Sequence, residues 1–297
     1  MTISLCTFLR AVSYGLLLPF YVCGTELRRS LQRQGLQPVV LVLALTEPLE
    51  PHLERLVAEA RNSWRPDEEG REPSEAEVMA RLRKAKRSIA FLVALADLAR
   101  LFDGRKTTAW LTRLAEASVA AAIDHLLLAA DGGKITLKNR DNPSEASGLI
   151  VLGMGKLGAA ELNYSSDIDI VVFFDPEAAE AAGVGEPTSF FVKLTQQIAR
   201  IIQERTPDGY VFRVDLRLRP DPASTHVAVS LPSAYSYYET VGQNWERAAM
   251  IKARPIAGDI ELGRRFLKDL APFIWRKYFD FATIADIHAM KRQIQTV

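Results

Sequence analysis

Apolar residues recur at helical spacing through much of the first half of the chain. Val78, Leu82, Ala85, Ile89, Leu92, Leu95, Leu98 and Leu101 fall on one face of a long amphipathic helix, and Ser74, three positions before Glu77, supplies a capping box at its start. A second helix begins near Thr107, buries Leu111, Leu114, Val119, Ile123, Leu126 and Leu127, and stops at Asp131-Gly132-Gly133, where glycine accepts the left-handed C-cap. The charged run 67–73 reads as a solvated loop. The pattern changes at the turn-rich stretch 139–148. Beyond it, 149–152 is a short apolar strand ended by Gly153, and 168–174 and 210–218 alternate with β-branched or aromatic residues and read as strands. Between those two lies a helix over 187–205, with Phe191, Leu194, Ile198, Ile201 and Ile202 on one face. Strands alternating with a helix, with helical modules on either side, predict an α+β or α/β chain.

The 297 residues are 48% hydrophobic and 25% charged, which excludes a disordered, collagenous or coiled-coil chain. A net charge of +1 gives no overall drive toward nucleic acid or an anionic membrane, so any anion must be met by a local arrangement. Two cysteines, Cys6 and Cys23, form neither a disulfide framework nor a metal-ligand spacing, which fits a reducing cytoplasm. Residues 5–24 are mostly apolar but are interrupted by Arg10, Gly15 and Pro19, and the unbroken part is shorter than the ~20 residues that span a bilayer. A core helix or a non-native start accounts for this segment best, ahead of a peripheral apolar segment or a targeting signal.

The chemistry is concentrated in three pieces: Gly153-Met-Gly155-Lys156-Leu-Gly158, Ser165-Ser166-Asp167-Ile168-Asp169-Ile170, and Arg213-Val-Asp215-Leu-Arg217-Leu-Arg219. Residues two apart on a strand point the same way, so Asp167 and Asp169 share a face opposite Ile168, Ile170 and Val172. In the third piece Arg213, Asp215, Arg217 and Arg219 share a face, setting a third carboxylate among three guanidinium groups. Crowded carboxylates repel one another unless a cation neutralises them, and hard divalent ions such as Mg²⁺ take such oxygens together with phosphate oxygens. The glycines let backbone N–H groups approach phosphates, with Lys156 and the arginines neutralising charge. Taken together, the pieces specify metal-assisted nucleotidyl transfer. Singly, each has a plainer reading: a turn or cap for Asp-x-Asp, a solvated strand face for the arginines. A dinucleotide fold competes, because Gly153, Gly155 and Gly158 satisfy G-x-G-x-x-G after a strand and Asp175 ends the next one. It leaves Asp167, Asp169 and the arginines without a role.

The order Gly155-Lys156, Asp167-Ile168-Asp169 and a later Asp215 resembles the DNA polymerase β-like nucleotidyltransferase superfamily. The run Gly-Met-Gly-Lys-Leu-Gly-x-x-Glu-Leu-Asn-x-x-Ser-Asp-Ile-Asp, with 214–220 and 245–254, is similar to one branch of it, the bifunctional glutamine synthetase adenylyltransferase and adenylyl-removing enzymes. The stretches 244–254 and 276–281 look more like the N-terminal, adenylyl-removing half. The resemblance covers roughly residues 148–297; with the pattern before it, the expected α+β chain has an atypical apolar N-terminus (1–30), a helical region (31–145), a nucleotidyltransferase catalytic core (146–231) and a helical accessory region (232–297) that reads as truncated. The resemblance implies Mg²⁺ on Asp167, Asp169 and Asp215, with Gly155, Lys156, Gly158, Ser166, Arg217, Arg219, Glu246, Lys252 and Arg254 binding nucleotide or phosphate. The last three are expected to line the opposite wall from the following helix. The implied reaction is phosphorolytic removal of AMP from an adenylyl-tyrosine, giving ADP. The implied partners are glutamine synthetase, ATP or ADP, orthophosphate and a nitrogen-signalling protein, with no nucleic acid and no membrane. The adenylylating half, an NAD-binding oxidoreductase and a catalytically silent docking fragment are the alternatives.

Overall fold

The computed structural model describes residues 49–98, 100–275 and 292. The apolar segment 5–24 and the stretch 276–281 lie outside them. The described residues fall into two compact units, one of 49–98, 100–121, 160–165 and 205–211, the other of 122–159, 166–204, 212–275 and 292. Among the described residues no helix is long and apolar enough to cross a membrane.

The first unit is helical. Helix α1 (Leu49–Arg61) packs on α2 (Glu75–Leu98), and α3 (Gly104–Ala130) begins in this unit and ends in the other. Helix α2 starts where its capping box places it: the Ser74 N–H donates to Glu77 Oε2 at 2.8 Å and the Glu77 N–H to Ser74 Oγ at 3.3 Å. It ends three residues short of Leu101, which is 63% exposed. The side-chain hydrogen bonds from Arg71 and then the Ser74 N–H hold the Glu77 carboxyl down at about 2. A lowered carboxylate adds stability above its unfolded value, and that stability is lost as the pH falls toward 2. Glu77→Gln is therefore expected to lower the melting temperature at pH 7 and to melt with the parent at pH 2, as read by circular dichroism at the two pH values. The fully buried Arg83 donates to the carbonyl of Met79 at 3.0 Å and to that of Gly209 at 2.8 Å, fixing the 206–209 turn on α2.

The second unit carries a mixed five-stranded sheet, so the chain is α+β. Strand β1 (Leu149–Gly153) leads through a four-residue helix α4 (Gly155–Gly158) toward β2 (Ile168–Phe174). The two strands pair antiparallel, with Gly153 opposite Ile170. Helices α5 (Pro176–Ala181) and α6 (Pro187–Gln203) follow, then β3 (Val214–Asp215) and β4 (Ala228–Ser230), both parallel to β2. Helices α7 (Leu231–Thr240) and α8 (Asn244–Met250), strand β5 (Arg254–Gly258) antiparallel to β1, and helices α9 (Ile260–Asp269) and α10 (Ala271–Ile274) complete the unit.

Strict alternation along β2 sends Ile168, Ile170, Val172 and Phe174 to one face, where Phe174 stacks on Phe191 of α6 at 4.9 Å. The other face begins with Asp167 and Asp169 and turns apolar at Val171 and Phe173, which join a core with Ile150, Leu152, Tyr238, Met250 and Phe266. That switch from polar to apolar on one face marks where the core stops and an accessible edge begins.

The strand expected over 210–218 shrinks to Val214–Asp215. The Arg217 N–H donates to Asp215 Oδ1 at 2.8 Å, an aspartate turn that competes with the ladder and folds the chain out of the sheet. Strands β3 and β4 are consequently two short pieces on the same edge of β2, separated by the loop 216–227.

Candidate functional site

The parallel register Ile168↔Val214 and Asp169↔Asp215 puts two carboxylates side by side across the β2–β3 ladder. Asp167, one residue before the strand, is exposed, and Asp169 and Asp215 are half-buried. Burial first, then the charges of Asp215 and Asp167, push the Asp169 carboxyl above its ordinary value, while Arg217 and Lys156 oppose that shift. The side-chain hydrogen bonds of Arg217 hold the Asp215 carboxyl below its ordinary value. Two neighbouring carboxylates are thus driven in opposite directions, one by loss of water and like charge, the other by a guanidinium.

The glycine turn abuts the same cluster. The Met154 N–H donates to the Asp169 carbonyl at 2.9 Å, and Gly155 adopts φ +51°, where a β-carbon would stand 2.9 Å from Asp169 Oδ2. Glycine suits the position: it takes the left-handed backbone without strain and leaves the Asp169 carboxylate room to approach. Lys156 is exposed beside this turn and near enough to lower the Asp169 value, and Gly158 is packed against the backbone of Lys252. Ser166 sits half-buried just ahead of Asp167.

The arginines divide. Arg213 pairs with Asp167, and Arg217 grips Asp215 through Nε at 3.0 Å and Nη2 at 2.5 Å while remaining largely exposed. Arg219 turns inward and donates to the carbonyls of Leu216 and Pro222, each at 2.8 Å, bracing its own loop. Arg213 was read from the sequence only as part of a cationic face. Its pairing with Asp167 follows from the register, which sets residue 213 beside residue 167.

Glu246, Lys252 and Arg254 do not line a common helical wall. Glu246 is 1% exposed and completes a capping box with Gln243 at the start of α8, Lys252 lies in the turn after that helix, and Arg254 is on β5. Pro255 cannot donate to a continuing helix, so the chain extends at Arg254 instead. The Arg254 guanidinium donates to the carbonyls of Leu157 and Gly158, both at 3.2 Å, and so steadies the glycine turn from below. The aromatic residues of α7 serve packing: Tyr235 meets Phe266 edge-on at 5.3 Å and Tyr238 meets Phe273 at 5.1 Å.

A dinucleotide fold is ruled out by the topology. G-x-G-x-x-G in that fold joins parallel strands through a long crossover helix, whereas here it joins antiparallel strands through four helical residues. Asp175, the residue that would meet a ribose, instead accepts from the N–H groups of Glu177 and Ala178 as the cap of α5.

The acid-bearing edge with its glycine turn is matched by family-level similarity. The sequence profile of the glutamate-ammonia ligase adenylyltransferase family matches residues 37–269. The chain belongs to that family. Curated relatives include the bifunctional glutamine synthetase adenylyltransferase/adenylyl-removing enzymes of Rhizobium meliloti, 59% identical over 258 residues, and Agrobacterium fabrum, 60% identical over 256 residues, each alignment covering 86% of this chain and 26% of the relative. The enzyme of the same name from Bradyrhizobium diazoefficiens is 53% identical over 260 residues, covering 87% of this chain and 26% of its own. The chain thus spans about a quarter of the length of the curated relatives it matches.

Proposed function

We propose that this member of the adenylyltransferase family carries a nucleotidyl-transfer site that moves AMP from an adenylylated tyrosine of glutamine synthetase to orthophosphate, releasing ADP. The observation that carries the reading is the pairing of Asp169 with Asp215 beside the Gly155 turn. Support for the protein substrate comes from the relatives, whose names give glutamine synthetase as the target. A cytoplasmic setting and control by a nitrogen-signalling protein belong to the same reading.

The donor set fits a hard divalent cation such as Mg²⁺. Asp169 is crowded by two like charges, a state that a cation relieves. Among the described residues no three His, Cys, Asp or Glu side chains converge closely enough to hold a metal. Asp167 and Asp215 are turned to Arg213 and Arg217, so metal uptake would exchange those arginines for the cation. Asp167, Asp169 and Asp215 would hold it, and it would supply charge neutralisation at the transferring phosphoryl group.

The chain's own residues then have separable tasks. Backbone groups at Gly155, with Ser166, meet phosphate oxygens and Lys156 balances their charge, whereas the buried Gly158 serves the packing of the turn, its N–H donating to the Met154 carbonyl at 2.9 Å. Arg217, freed from Asp215, draws in orthophosphate. An orthophosphate oxygen forms a bond to the α-phosphorus, the bond from that phosphorus to the tyrosyl oxygen breaks, and the phenolate leaves to take a proton from solvent. Arg219 and Arg254 hold the loop and the turn in shape, and Glu246 caps α8.

Incubating the chain with adenylylated glutamine synthetase, Mg²⁺ and orthophosphate, and resolving nucleotides by chromatography, is expected to yield ADP in step with loss of adenylyl groups. Adenylylation from ATP without phosphorolysis would assign the opposite direction. Complex formation with neither reaction would leave a docking role and reject the proposal.

A further inference from the structure

We infer that Arg217 competes with the divalent cation for Asp215, so that orthophosphate and Mg²⁺ load the site cooperatively, each clearing it for the other. The inference deepens the nucleotidyl-transfer reading and takes both ligands from it, while the competition itself is a property of the Asp215 carboxylate.

The three acids are not equally open. Asp167 is paired with Arg213 at the exposed end of β2. Among the described residues no hydrogen bond reaches the Asp169 carboxylate, so that group is ready to meet a cation. A hard divalent ion needs more than one oxygen ligand, and the register sets Asp215 beside Asp169 across the β2–β3 ladder. Both Asp215 oxygens are covered by a single residue. Oδ1 accepts from the Arg217 N–H at 2.8 Å and from Nε at 3.0 Å, and Oδ2 accepts from Nε at 3.0 Å and from Nη2 at 2.5 Å. The backbone bond belongs to the turn and stays when the side chain leaves. Oδ2 is held by the guanidinium alone, so it is the oxygen that a cation gains only by displacing Arg217.

Arg217 is built to leave where Arg219 is not. Arg219 is tied to the carbonyls of Leu216, Pro222 and Thr225. The Arg217 guanidinium bonds to Asp215 alone among the described residues, and its side chain is 83% exposed. Solvent screening keeps an exposed pair weak even when its geometry is good, which puts the displacement within reach of a divalent ion. Once released, the planar fork fits two phosphate oxygens as well as it fits a carboxylate. Cation binding therefore delivers Arg217 to the anion, and anion binding withdraws Arg217 from Asp215. Two ligands that favour the same displaced arrangement raise each other's affinity by one common factor.

The test is calorimetric titration of the full chain with Mg²⁺, with and without orthophosphate, for the parent, Arg217→Ala and Arg217→Lys. In the parent, orthophosphate is expected to tighten Mg²⁺ binding by about three- to tenfold, and Mg²⁺ to tighten orthophosphate binding by the same factor. Arg217→Ala is expected to bind Mg²⁺ more tightly than the parent when orthophosphate is absent, and to lose most of the phosphate effect. Arg217→Lys separates occlusion from charge, because an ammonium keeps the charge but cannot cover both oxygens. It too is expected to bind Mg²⁺ more tightly than the parent. Parent-like Mg²⁺ affinity in Arg217→Lys would reduce the effect to charge and overturn the inference. So would a phosphate effect that persists undiminished in Arg217→Ala, which would place the coupling in direct attraction between the two ligands. If Arg217→Ala does not fold, Arg217→Lys decides. A parent that loads both ligands cooperatively yet releases no ADP would defeat the phosphorolysis reading and leave the inference standing, whereas turnover with uncoupled binding would defeat the inference alone.

Discussion

Asp169→Asn is expected to cut turnover by about 10³-fold and, in metal-free buffer at pH 7, to raise the melting temperature. The first effect follows from removing the carboxylate that faces both the glycine turn and Asp215. The second follows from the direction of its titration. Burial and the charges of Asp215 and Asp167 raise the Asp169 value, so the native protein favours its neutral form. Such a group contributes stability below its unfolded value near ~4 and loses that contribution as the pH rises through the raised folded value, leaving an ionised carboxylate as a net cost at neutrality. Asparagine removes the cost. Asp215→Asn has the opposite sign, because Arg217 lowers the Asp215 value and the pair adds stability above the unfolded value. Thermal melts of both variants at pH 7 and pH 4 in chelator, repeated with Mg²⁺, measure this. A lower melting temperature for Asp169→Asn at pH 7, with an undiminished Mg²⁺ shift, would make the acidic cluster a structural network instead of a metal site.

The largest effect on folding is expected at Gly158. A β-carbon there would lie 3.0 Å from the Lys252 carbonyl carbon and nearer still to the carbonyl oxygens of Lys252 and Gly153. Those atoms belong to the backbone of β1 and of the turn leading into β5, which are paired to each other and cannot yield separately. Gly158→Ala is therefore expected to cost about 3 kcal/mol or more, at the upper end of overpacking, and to give largely insoluble or molten protein. Gly155→Ala is the milder comparison, since its neighbour is the end of the Asp169 side chain, which can turn away. Denaturant melts of the two variants beside the parent rank them. Equal stability of Gly158→Ala and the parent would mean that the turn is looser than its packing indicates.

Much of this site was legible in the sequence because its key segments are strongly patterned. Residues 168–174 alternate without interruption, so Asp167 and Asp169 could be put on one face before any coordinates, and the Ser74–Glu77 capping box marked the start of α2. Arg217 and Arg219 were less legible. A strand would have kept both on one surface, but the Asp215 side chain captured the Arg217 N–H, and local competition of this kind leaves no periodic trace. Arg254 was misplaced on a helix although Pro255 stood next to it as a signal. Glu246 carried a capping pattern with Gln243 in the place usually held by serine or threonine, so its burial could be seen only once α7 was packed against it.

The division of the chain into units has a practical corollary. The polypeptide passes from one unit to the other after Ala121, Ala159, Ser165, Glu204 and Val211, so neither unit is a contiguous stretch. A shortened protein begun at residue 146 would inherit 160–165 and 205–211 without Thr112, which receives the Leu162 N–H, or Arg83, which holds Gly209. Gene dissection by a single cut would therefore strip two connectors of their anchors, and these are the connectors that run into Asp167 and Asp215.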